Sequence, residues 1–351
     1  MRLLSEYSMK VLRGKYMKKV NIGILGCTGV VGRQMMQVLE EYRIPVDRFV
    51  PLASANSAGS KVVFNGKEYT VQEAKETSFE GLDYVLGAVG NGMAKLFAPH
   101  IVKAGAVFID NSSSFRMDPD VPLVVPEING EDAFCNKGII SNPNCSTIIT
   151  MVAVGAINAI SPITEMFAST YQAVSGAGKA GLEELENQMA DMAAGKTLER
   201  SVFPHQIAMN VIPYIGSETD NGYTTEEMKM QNEGRKILHN PGLKVSCTCV
   251  RVPVMRSHSI SVTFRTKEKV SVEQAEKAVS VAPGCVLTTD FQGRNYPTPL
   301  DTSGQDLVWV GRIREDLTSD RGLTLWCCGD QVRKGAASNA VQILKLLAER
   351  A

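Results

Sequence analysis

Val20-Asn-Ile-Gly-Ile-Leu25-Gly26-Cys27-Thr28-Gly29-Val30-Val31-Gly32 is an apolar run that breaks into three glycines spaced three apart. The run reads as a buried strand, and behind the glycines Val31, Met35, Val38 and Tyr42 recur at helical spacing. A backbone that must approach a phosphate needs glycine, because a side chain would stand in the way. The helix that follows offers unpaired N–H groups and the positive end of its dipole. Strand, glycine turn and helix in this order open a dinucleotide-binding unit, with tight strand-to-helix packing as the alternative. Gly26, Thr28, Gly29, Val30 and Val31 are the candidate cofactor contacts.

Working outward, strands are expected near Phe49 to Ala53, Tyr84 to Val89 and Ala106 to Asp110, with a helix from about Gly92 to Lys103. Alternating β and α segments imply a Rossmann-type, doubly wound parallel sheet of the α/β class. Beyond about residue 160 the pattern changes to alternating strands at 245–254, 259–264, 307–313 and 324–328, with polar helices near 179–194 and 224–238. Strands with one apolar face, interspersed with helices, indicate a second, α+β domain with a mixed or antiparallel sheet. A last helix over 335–347 is expected to return to the first domain, giving 17–145 plus 333–351 as one unit and 146–332 as the other.

The 351 residues suit about two domains at roughly 150 residues each. A hydrophobic content of 44% excludes a disordered or collagenous chain. Thirty-seven basic residues balance 37 acidic ones, so no basic excess exists to neutralise a nucleic acid. The eight cysteines form no CxxC pair and the four histidines are scattered, which argues against a metal site or disulfide framework and for a reducing, cytoplasmic setting. The longest apolar stretch, 148–160, is too short for a membrane span and carries Asn158. Residues 1–16, MRLLSEYSMKVLRGKY, are basic without a secretory apolar block. They read as a disordered extension or an upstream start, with a targeting presequence as the alternative.

Where an NAD-preferring fold places Asp or Glu, about 20 residues past the glycines, this chain reads Leu52-Ala-Ser54-Ala-Asn56-Ser57-Ala-Gly59. No carboxylate is present to repel an extra phosphate, and Ser54 and Ser57 can donate to one. That tilts the choice to NADP, with NAD left open and ordinary turn serines as the plain reading.

Ser141-Asn-Pro-Asn144-Cys145-Ser-Thr147 precedes an apolar helix, which puts Cys145 at or beside a helix N-terminus. Such a position, or a nearby cation, lowers a thiol pKa from about 8.5 and generates the nucleophilic thiolate. The plain alternative is a small buried cysteine, and that reading is preferred for Cys27, Cys135, Cys285, Cys327 and Cys328. Cys247 and Cys249 alternate onto one strand face and are expected in the core. Pro143 and its flanking asparagines force a turn, and Asn144 brings amide groups near the reacting atom. A thiolate needs a proton partner, and among the histidines His258 stands out, lying between a strand with Arg251 and Arg256 and the alternating strand after it. His100, His205 and His239 read as capping or surface residues.

With these motifs assembled, the chain resembles the aspartate-β-semialdehyde dehydrogenases from about Val20 to its last helix. The resemblance is carried by SNPNCST at 141–147, Gln172-Ala-Val-Ser175-Gly176-Ala-Gly178, Asn111-Ser-Ser-Ser-Phe-Arg116, Val252-Pro-Val with His258, and Lys334-Gly-Ala-Ala-Ser-Asn339. It implies Cys145 as nucleophile, His258 as general acid/base and Gln172 as an orienting group. Arg251 would clamp the substrate carboxylate, with Arg116 and Lys229 on its phosphate and Glu226 as a further contact. Ser175, Gly176, Gly178 and Asn339 would face the nicotinamide. The implied substrates are aspartyl phosphate, or aspartate semialdehyde with phosphate, in amino-acid biosynthesis, and the implied assembly is a homodimer or homotetramer formed through the second domain. One departure is Asn56, where the family commonly has an arginine for the NADP 2′-phosphate. Rival readings are a reductase of N-acetyl-glutamyl phosphate or of a sugar phosphate, and a nucleotide-binding regulatory protein without turnover.

Overall fold

The apolar run and glycine turn become strand β1 (Val20–Leu25) and helix α1 (Val30–Glu41) in a computed structural model that describes residues 17–350. Residues 1–16, read above as an extension, lie outside the described residues. Next come β2 (Val46–Ala53), the hairpin β3 (Lys61–Phe64) and β4 (Lys67–Thr70), then β5 (Gln72–Glu73), β6 (Tyr84–Gly87), helix α2 (Asn91–Lys103), β7 (Val107–Asp110) and β8 (Ile139–Ser141). Six of these strands form one parallel sheet in the order β5-β2-β1-β6-β7-β8. The chain turns from one side of β1 to the other between β2 and β6, which opens a crevice at the carboxyl ends of those strands. The hairpin was not anticipated, although Asn65 (φ 49) and Gly66 (φ 70) at its turn are the residues a two-residue hairpin loop demands.

Helix α3 (Cys145–Ile160) leads into the second sheet, built from β9 (Ile163–Gln172), β10 (Lys244–Arg251), β11 (His258–Thr266), β12 (Cys285–Thr288), β13 (Val308–Glu315) and β14 (Gly322–Gly329). Its order is β10-β9-β11-β14-β13-β12, with β11 antiparallel to β9 and β14 while β9 and β10 run parallel. The sheet is therefore mixed. Helix α4 (Gly178–Ala193) follows β9, and α5 (Thr225–Ile237) precedes β10. Ile149 and Val152 of α3 and Met230 of α5 pack with Met166, Ala168, Ile260, Val262 and Leu325 on one face of the sheet. The other face turns Phe167 and Tyr171 outward, with the Tyr171 and Trp326 rings 5.5 Å apart. Strand β9 was absent from the sequence reading because its inward positions end in Thr170 and Gln172, which breaks the apolar alternation.

The last helix, α6 (Ser338–Ala348), returns to the first sheet, where Val341, Ile343 and Leu344 join the cluster of Ile22, Ile24, Met35 and Leu39. It starts three residues later than expected. Residues 333–337 form a wide π-turn instead, in which Gly335 N donates to Asp330 O at 3.0 Å and Ala337 N to Val332 O at 3.0 Å. Among the described residues, no helix is long and apolar enough to cross a membrane.

Candidate active site

Asn144 is the N-cap of α3: its Oδ1 accepts from Ser146 N at 3.0 Å and from Thr147 N at 3.2 Å. Cys145 is thus the first helical residue, as its sequence context required. The Asn144 side chain uses Oδ1 for the cap and one Nδ2 hydrogen for Glu226 Oε1, which leaves its second amide hydrogen available to a further acceptor. Sγ of Cys145 lies 3.4 Å from Nε2 of His258. The expected acidic thiol is not found. Burial raises the Cys145 pKa to about 11 and the Glu226 carboxylate adds to this, outweighing Lys229, Arg251 and Arg116. Among the other cysteines, Cys27, Cys247, Cys249, Cys327 and Cys328 are buried, whereas Cys135 is exposed and was wrongly assigned to packing.

His258 begins β11 and is fully buried. Its Nδ1 accepts the backbone N–H of Ala173 at 3.0 Å. A nitrogen that accepts carries no proton, so the neutral ring holds its proton on Nε2, the atom facing sulfur. Burial, reinforced by the Arg251 charge, lowers the imidazole pKa to about 3. Ser257 immediately before it is buried at φ 73, in the left-handed region. Its N–H donates to Gln331 Oε1 at 2.8 Å, and Gln331 Nε2 donates to Ser175 Oγ.

Glu226 is the hub of the polar cluster. Oε1 accepts from Asn144 Nδ2 at 2.9 Å and Gln172 Nε2 at 3.2 Å, and Oε2 from Lys229 Nζ at 2.8 Å. Despite burial, Lys229 and these donors hold its pKa at about 2. Arg251 ends β10, is buried, donates from Nη1 to Ala173 O at 2.7 Å and stacks on Phe203 at 5.8 Å from the ring centre. Arg116 is also buried and donates to Asn142 O, Asn111 O and Glu233 Oε1. Arg116, Lys229, Glu233, Ser113, Thr225 and Asn232 line a cavity of about 510 Å³.

The glycine turn fits a dinucleotide. A Cβ on Gly26 (φ +90) would sit 2.4 Å from Ala88 O, and one on Gly32 would sit 2.2 Å from Gly26 O. Gly29, the N-cap of α1, has no side chain to cap the helix, which leaves the first-turn N–H groups of Val30 and Val31 for an anion. Thr28 lies in this turn, its carbonyl accepting from Arg33 Nε at 3.0 Å. Ser54, Asn56 and Ser57 form a short turn directly after β2, with Ser54 and Asn56 exposed. Beside the thiol–imidazole pair, a Cβ on Gly176 would meet Arg251 Nη1 at 2.8 Å and His258 Cε1 at 3.3 Å. Ser175 and Gly178 flank it, Gly178 with φ 78. Asn339 does not join this group. It is fully buried, with Nδ2 committed to Val124 O and Asn142 Oδ1 and Oδ1 to Lys334, so the side chain has no amide hydrogen left for a carboxamide.

Glu233, Gln331, Ser257 and the Ala173 peptide were missed. Glu233 had a readable signal, because it lies four and seven residues past Lys229 and Glu226 on one helical face.

A glycine-turn nucleotide fold joined to a second sheet, with a thiol and an imidazole 3.4 Å apart where the two are linked, is the plan of a two-domain dehydrogenase. Residues 21–134 match the family described as semialdehyde dehydrogenase, NAD binding domain, and residues 154–334 match semialdehyde dehydrogenase, dimerisation domain. Aspartate-semialdehyde dehydrogenase of Aquifex aeolicus is 49% identical over 330 residues, covering 93% of this chain and 97% of that protein. The Bacillus subtilis enzyme of the same name is 44% identical over 336 residues, covering 93% and 97%. The crystal structure of aspartate semialdehyde dehydrogenase II of Vibrio cholerae complexed with ASA superposes with a TM-score of 0.92 at 44% identity, covering 94% of this chain and 98% of that one. The chain belongs to the aspartate-semialdehyde dehydrogenase family.

Proposed function

We propose that the chain catalyses the reversible, NADP-dependent conversion of L-aspartyl-4-phosphate to L-aspartate-4-semialdehyde and phosphate through a thioester on Cys145, in the biosynthesis of lysine, threonine, methionine and isoleucine. The observation that carries this reading is the 3.4 Å approach of Cys145 Sγ to His258 Nε2 among three cations. Sulfur attacks the acyl carbon, the carbon–oxygen bond to phosphate breaks, and the thiol proton leaves with phosphate as hydrogen phosphate. Two separated anionic ends need two anchors: Arg251 serves the carboxylate, and Arg116 with Lys229 serves the phosphate.

The turn at 26–31, Ser54 and Ser57, and residues 175–178 would hold a nicotinamide dinucleotide, whose chemistry there would be hydride transfer. His258 directs its Nε2–H at sulfur and hydrogen-bonds to it as the carbon–sulfur bond breaks, and the sulfur then takes its proton from solvent, so the imidazole stays neutral throughout. Gln172 and Asn144 fix the Glu226 carboxylate, which keeps Lys229 directed at the cavity. Phe167, Tyr171 and Trp326 leave an aromatic sheet face open, and a second copy of the chain covering it would give a homodimer, or a homotetramer built from such pairs.

Cys145→Ala tests the covalent step. Phosphate-dependent reduction of NADP by the semialdehyde is expected to fall by at least about 10³-fold while the thermal midpoint stays that of the parent. Activity retained at the parent level refutes the thioester.

A further inference from the structure

Helix α5 presents Glu226, Lys229, Glu233 and Lys236 along one face, at spacings of three, four and three residues. The first two belong to the cluster already described. Lys236 Nζ donates to the carbonyls of Arg116, Asp118 and Val121, which ties the helix to the loop that carries Arg116. Glu233 is different in kind. It is 2% exposed, and its two oxygens are divided between two functional parts: Oε1 accepts from Arg116 Nη1 at 3.0 Å, and Oε2 accepts the backbone N–H of Asn144 at 2.7 Å.

We propose that Glu233 is a positioning residue that fixes the distance between the phosphate-anchoring guanidinium and the attacking sulfur, and that its charge moderates the grip on phosphate. Resting on the function proposed above, this deepens it at the same site. A carboxylate alone can do both tasks, since each oxygen must accept. An amide has one accepting oxygen, so it satisfies either Asn144 N–H or Arg116 and turns a donor toward the other. A buried guanidinium without its counter-charge then attracts an anion more strongly but presents it less well aimed. Small errors of aim at a reacting centre are costly in rate.

The test is E233Q, assayed in the semialdehyde direction with phosphate varied and with inorganic phosphate as protector of Cys145 against iodoacetamide. Turnover is expected to fall at least tenfold. The phosphate KM and the protection constant should both fall, by threefold or more, while the semialdehyde KM stays within twofold. Loss of general structure would lower the titrated fraction of reactive Cys145 and leave both constants unchanged, and that result overturns the proposal, as does turnover within threefold of the parent. If E233Q does not accumulate folded, R116Q is compared with R116Q/E233Q, in which two amides can pair. Equal turnover is expected, and a further loss above threefold in the double variant shows that Glu233 acts independently of Arg116 and refutes the coupling. A parent enzyme without phosphate-dependent turnover overturns the proposed function instead. In that case an unchanged protection constant in E233Q removes the positioning role as well.

Discussion

Gly335→Ala adds one methyl group behind Cys145, the nucleophile of the proposed reaction. The new Cβ would stand 2.8 Å from Cys145 Cβ, 3.2 Å from Cys145 Cα and 3.3 Å from Gln331 Cβ. Nonbonded carbons settle at about 3.5–4.0 Å, so relief needs roughly 1 Å of displacement. Neither side yields freely. The π-turn is held by its bonds to Asp330 and Val332, and the start of α3 is held by the Asn144 cap and the Asn144–Glu233 bond. Sulfur therefore takes part of the shift, and a misplacement of this order costs about 10²-fold in rate. Overpacking costs about 1–3 kcal/mol, offset by about 0.4–1 kcal/mol because alanine restricts the unfolded chain. Gly335 is not among the residues with positive φ, so the effect reports the contact and not backbone strain. Turnover with saturating substrates and the thermal midpoint are the measurements. A kcat within threefold of the parent would show that the turn and the thiol do not form one rigid unit.

His258 titrates near 3 when folded, against an ordinary value near 6.5. Between those pH values the unfolded ring binds a proton that the folded ring refuses, so acid removes stability, about 2 kcal/mol by pH 5. His258→Asn should therefore show a smaller drop in thermal midpoint from pH 7 to pH 5 than the parent, and equal drops would mean that the imidazole is not held neutral by the fold. Asn56→Arg places a cation on the exposed turn after β2. A hydrogen bond to a charged group contributes about 1.5–3 kcal/mol, so the ratio of kcat/KM for NADP over NAD should rise tenfold or more. An unchanged ratio would place the 2′-phosphate elsewhere.

Much of the fold was legible because its determinants are local. The glycine turn, the helical spacing behind it and the alternation in β10, β11, β13 and β14 each announce themselves within a dozen residues. Cys145 was legible for the same reason, since Asn144 caps the helix that Cys145 starts. What sequence spacing could not reveal is set by contacts between distant segments. The high thiol pKa depends on burial beneath residues far along the chain, and the proton on Nε2 of His258 depends on the Ala173 peptide. Asn339 looked like a cofactor contact, but the fold surrounds it with Val124, Asn142 and Lys334. Strand β9 disappeared from the pattern because Thr170 and Gln172, which join the polar cluster around Glu226, occupy its inward positions.

The π-turn that backs Cys145 has a consequence for synthesis. During translation Cys145 emerges long before Gly335 does, and in the interval its side chain lacks the surface that backs it in the finished fold. The surroundings of Cys145 are therefore complete only once the last segment of the chain is in place, with the closing helix packed onto the first sheet.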